Sequence, residues 1–144
     1  MNSDATLEQL RRYLLIISAG IFVMTITELI FVSHWNVSIQ YLPFALCTFG
    51  LIVLGLAYFQ PSAGTYKSLR WSMIIIGACS FIGFFEHIYT NYSFWLEIQP
   101  EATSMELLTN TFNGGIPILA PGILLLGAVI GLTATYQHPL LSKT

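Results

Sequence analysis

Residues 13–66 carry a single charged side chain, Glu28, and after Arg70 no Lys or Arg recurs until Lys143. Uncharged runs of that length have no place in a water-soluble domain. Charged residues make up 8% of the 144 positions and hydrophobic ones 55%, against about 25% charged in an ordinary soluble domain. Too few charges remain to keep a surface wet, so the bilayer has to be the solvent for most of the chain. A helix crossing the roughly 30 Å hydrocarbon layer needs about 20 apolar residues. Four such runs, 13–33, 41–59, 71–90 and 115–136, use up the length as one domain. The expected fold is an all-α integral membrane protein, an antiparallel bundle of four transmembrane helices.

The punctuation between the runs agrees with that division. Pro43 falls in the opening turn of the second run, where a missing N–H does no harm, and Gln60, Pro61 and Gly64 break the chain after it. Gly77, Ala78, Ser80 and Gly83 are small residues of the kind that let membrane helices approach closely. The connection 91–113 opens with Tyr92, Phe94 and Trp95, an aromatic set suited to headgroup level. Thr103-x-x-Glu106 is a capping-box pattern, and Met105, Leu108 and Phe112 then share a helical face. This predicts a short interfacial helix between the third and fourth spans. The fourth span opens through Gly114, Gly115, Pro117, Pro121 and Gly122, and its prolines remove intrahelical bonds and release carbonyls.

Orientation follows from the cations. Arg11 and Arg12 precede the first span, Lys67 and Arg70 lie between the second and third, and Lys143 follows the fourth, so all five fall on one side. The positive-inside rule then puts both termini in the cytoplasm, with the chain in a bacterial inner (plasma) membrane. Glu97, Glu101 and Glu106 fall on the other side. The acidic N-terminal stretch has no basic n-region, so the first span is expected to be retained. Five Lys and Arg in all and a net charge of -2 exclude a nucleic-acid surface. Cys47 and Cys79 lie within spans without a Cys-x-x-Cys partner and are expected to pack rather than react. The sequons at Asn36 and Asn91 hug the bilayer and are read as chance matches. His138, beside Pro139 on the basic side, is read as a surface residue. The chain has no phosphate-binding glycine loop, nucleophile elbow or Cys/His zinc pattern.

Chemistry gathers at the outer ends of the first and third spans. Glu28, His34, Glu86, His87, Asn91 and the broken backbone around Pro117 converge there by depth, and ionisable groups at membrane depth usually face a bundle interior. The expectation is an outward-opening polar pocket roofed by residues 91–113. It would serve a small binding module, or a subunit packing on a larger membrane partner or in a homo-oligomer. Four alternatives use the same residues. A zinc or iron enzyme would take Glu28, Glu86 and His87 as metal ligands, although Glu86 and His87, adjacent on a helix, point about 100° apart. Haem would be held between His34 and His87. A catalytic pocket would use Glu86 or His87 as general acid or base. An oligomeric proton- or cation-coupled transporter would use Glu28 and the carbonyls freed near Pro117.

Overall fold

The computed structural model describes residues 3–141. The described chain is all-helical: α1 (Ser3–Phe31), α2 (Tyr41–Phe59), α3 (Ala63–Ile98), α4 (Ser104–Phe112) and α5 (Gly122–Thr133), with one 3-10 turn at Ser38–Gln40. Helices α1, α2 and α3 are long and apolar enough to cross a membrane. By that composition the protein is membrane-embedded.

Helix α2 occupies the predicted run from end to end, and the other three differ from theirs. Helix α1 starts ten residues before the expected span. The 36-residue α3 continues through Asn91 to Ile98, so at 1.5 Å per residue it is about 54 Å long. No breaker interrupts it until Pro100, so the expected loop 91–113 is a helical extension followed by α4. The 12-residue α5 covers only the middle of the expected fourth span and is about 18 Å long. Pro117 and Pro121 keep residues 113–121 in turns. Its length alone does not cross the hydrocarbon.

The inside of this protein holds large apolar side chains such as Phe22, Tyr66 and Met73 together with polar ones such as Ser18, Thr25 and Ser80. Along α1 the buried positions are Arg11, Leu15, Ser18, Phe22 and Thr25, and along α2 they include Cys47, Gly50, Leu54 and Ala57. On α3 the seam runs through Tyr66, Leu69, Met73, Ile76, Ser80 and Asn91, and on α5 through Leu124, Gly127, Ala128 and Gly131. These steps of three and four mark one stripe per helix. Large apolar side chains meanwhile point out, with Phe31 82% and Phe59 79% exposed, as a lipid solvent permits.

Helix α5 packs against α1, α2 and α3, whereas no Cα of α1 comes within 8 Å of one in α3. Its glycines make this possible. The ring of Phe22, fully buried, lies between two of them: a Cβ at Gly50 would be 2.6 Å from Phe22 Cε2 and one at Gly127 2.8 Å from Phe22 Cε1. Ser18 Oγ donates to the Gly127 carbonyl at 2.8 Å, using the same close approach. A Cβ at Gly20 meets nothing within 4 Å. Gly127→Val should therefore destabilise by about 1–3 kcal/mol through overpacking, while Gly20→Ala leaves stability unchanged. Thermal melts in detergent followed by circular dichroism check both.

Candidate functional site

Residues 113–121 follow α4 without helical structure of their own, so their backbone polar groups need partners from elsewhere. Asn91, 2% exposed, supplies two of them, both at Ile116, and a third bond to the end of α4. Its Nδ2 donates to the carbonyls of Thr111 at 3.1 Å and Ile116 at 2.9 Å, and its Oδ1 accepts from the Ile116 N–H at 3.1 Å. A Cβ at Gly114 would lie 2.7 Å from Asn91 Cγ, so that position has to be glycine for the chain to pass. One turn earlier, His87 Nδ1 donates to the Pro117 carbonyl at 2.8 Å. That bond fixes the proton on Nδ1 and leaves Nε2 with a lone pair if the ring is neutral.

His34, in the connection after α1, is half-buried beside this imidazole. Desolvation, and then the neighbouring His87, hold its pKa below the ordinary histidine value. His87, Asn91 and the Pro117 carbonyl thus belong to one cluster at the end of the helices away from Arg11 and Arg70, with His34 near enough for its charge to feel that of His87. The carboxylates do not join it. Glu28 and Glu86 are both exposed, on helices whose Cα atoms stay more than 8 Å apart. Among the described residues no three His, Cys, Asp or Glu side chains come together in a way that could hold a metal ion. Asn91 is spent on backbone and has little capacity left for a ligand.

The roof over this end is narrower than expected. Helix α4 has its capping box, with Thr103 N–H and Oγ1 donating to Glu106 Oε2 at 2.9 and 2.8 Å, and these bonds hold the Glu106 carboxyl below its usual pKa. Leu107 and Thr111 are buried, while Met105, Leu108 and Phe112 are exposed, as in a helix lying in an interface. Among the described elements α4 packs on α3 alone.

The other end holds a cluster that the sequence did not announce. His138 is 4% exposed, a correction to its reading as a surface residue: its ring stacks on Tyr66 at 3.7 Å between centroids. His138 Nδ1 accepts from the Leu140 N–H, so Nε2 carries the proton, and that atom is buried without a hydrogen-bond partner, 4.0 Å from Glu8 Oε2. Beside it Arg11, 5% exposed, donates to the Gln137 carbonyl at 3.1 Å. Arg70 donates to the Thr135 carbonyl at 2.8 Å and to its hydroxyl at 3.3 Å. The starts of α1 and α3 are thereby tied to the chain leaving α5. An Arg shortly before the first apolar run and another at the mouth of a span were the available signals; that both serve carbonyls more than 60 positions away was not readable.

Fold and clusters together define a helical membrane protein with one polar knot at each end. Compared with protein-family models, with curated proteins and with solved structures, the chain matches none.

Two outcomes follow. Asn91→Ala would strand two carbonyls and an N–H in the interior, so it should cost about 3 kcal/mol and speed hydrogen exchange over residues 111–117. Asn91→Asp, which turns an acceptor toward both carbonyls, should not rescue it. At the opposite end, burial and then the Arg11 guanidinium depress the His138 pKa. Between the folded value and the unfolded value of about 6.5, the unfolded chain binds more protons, so stability rises with pH across that interval and is complete above it. Melts between pH 7.5 and 5 should show stability falling with acid, and His138→Gln should flatten the slope.

Proposed function

We propose that the protein is a small polytopic subunit of the bacterial plasma membrane that associates laterally with a membrane partner, a larger protein or a second copy, through the outer half of α1. Residues 113–121 together with α5 make the fourth pass in this reading. The concentration of Arg11, Arg12, Lys67 and Arg70 at one end of the helices supports a cytoplasmic location for both termini.

The observation that carries the reading is the outward direction of Glu28. It lies 16 residues beyond Arg12, about 24 Å along the helix, and Glu86 lies the same 16 residues beyond Arg70. Both carboxylates therefore sit at one level, within the outer hydrocarbon. Glu28 is exposed there and meets no hydrogen-bonding or charged partner among the described residues. The nearby Thr27 hydroxyl is already committed to the Val23 carbonyl at 2.9 Å. An acid left facing lipid at such depth costs about 2.5–3.5 kcal/mol on insertion scales. A donor on a neighbouring helix removes that cost, and a pocket within the chain is not required.

A photo-crosslinking residue at position 24 or 28 should give one discrete protein adduct in native membranes, and one at Phe59, exposed on α2, should give none of it. Glu28→Leu should release the complex to monomer mass on native gels with helicity unchanged. Lipid adducts alone from positions 24 and 28 would defeat the reading.

A further inference from the structure

Between the start of α3 and the end of α5 runs an open groove of about 670 Å³, at the end opposite Glu28. That size falls in the range of about 300–1,000 Å³ typical of small-molecule sites. Its lining changes character along its length. Arg70, with the buried Thr135 and His138 beside it, lines one end, and Ile74, Val129 and Leu132 line the part nearer the middle of the helices. Ile74 lies one helical turn from Arg70 toward the membrane centre, and Val129 one turn from Thr133 in the same direction. Cationic end and apolar part are therefore stacked along the membrane normal, the order in which a phospholipid presents phosphate and acyl chain.

The charge at the Arg70 end is not neutralised from within. Arg11, Arg12 and His138 all turn toward Glu8, and among the described residues Arg70 has no carboxylate within 4.0 Å. Its Nε and Nη2 are used on Thr135, which holds the guanidinium in place while Nη1 stays available. A planar cation fixed in this manner suits a phosphate oxygen. Among the described residues no acidic side chain lines the groove, so they offer a choline or ethanolamine headgroup no anion. Ordinary annular lipid covers any apolar face. A concave wall ending on a fixed arginine selects among lipids.

We propose that this groove is a binding site for one anionic phospholipid, its phosphate on Arg70 and one acyl chain along Ile74 and Val129. The test is retention of lipid by the full chain, extracted in mild detergent from vesicles of equal phosphatidylcholine and phosphatidylglycerol and weighed by native mass spectrometry. One phosphatidylglycerol per chain should be retained in preference to phosphatidylcholine. Arg70→Gln should lower the retained fraction about fivefold, and Lys67→Gln, an equal change in charge one turn away on an exposed residue, should leave it unchanged. Because Arg70 also holds Thr135, Val129→Trp serves as the second variant. It fills the apolar part from a half-exposed position, spares the Arg70 end, and should lower retention as far. Equal retention of both lipids, equal loss in Lys67→Gln, no loss in Val129→Trp, or displacement by millimolar inorganic phosphate would each overturn the proposal.

Discussion

A backbone that leaves the helix among apolar neighbours has to find its hydrogen-bond partners in side chains, and in this protein that demand falls on Asn91 and His87. Both lie on one stripe of α3, four residues apart. The rest of the outer end follows from them. Helix α3 has to continue past the expected end of its span to carry Asn91, the chain opposite has to be glycine at position 114 to pass it, and α4 is held where its Thr111 carbonyl can accept. Polar side chains between membrane helices contribute little to stability when they bond one another. Serving otherwise stranded carbonyls is a stronger reason for their presence.

The two ends of α5 are thus held by different chemistry. Amide and imidazole groups secure the chain entering it, and two guanidinium groups secure the carbonyls just beyond it, where a helix leaves its acceptors unfilled. Between these ends the contact is steric. Gly127 and Gly131 admit Phe22, Ser18 and Met73 to the backbone, and the apolar helix needs no polar bond except the one from Ser18. A helix of three turns is marginal by itself, and contact with α1, α2 and α3 supplies what its length does not.

Apolar runs and breakers in the sequence predicted α2 from Tyr41 to Phe59 and the capping of α4 by Thr103 and Glu106, because both are decided by neighbours in the chain. Depth was also legible: Glu28, His34, Glu86, His87 and Asn91 do lie toward one end. Rotation was not. In lipid the outward face of a helix is as apolar as the inward one, so hydrophobicity does not say which way Glu28 turns. Side-chain size does not settle it either: Gly127, Gly131, Ser18 and Ser80 sit in the seams, whereas Gly20 meets nothing. Glu28 lies roughly 100° around α1 from the middle of the buried line through Ser18, Phe22 and Thr25, and only the packed structure shows that line. The burial of His138 depends on Tyr66, which is 72 positions away in the chain, and no local pattern encodes it.

The contacts of α5 impose an order in time. It follows the three longer helices in the chain, is too short to be recognised as a membrane segment by hydrophobic length, and its entrance is a run of turns whose carbonyls lipid would refuse. It can settle only against a surface already assembled from the three longer helices, with Asn91 waiting at one end and Arg11 and Arg70 at the other. Biogenesis of this protein is therefore a templated closure, in which a short segment is admitted to the membrane by the helices that precede it.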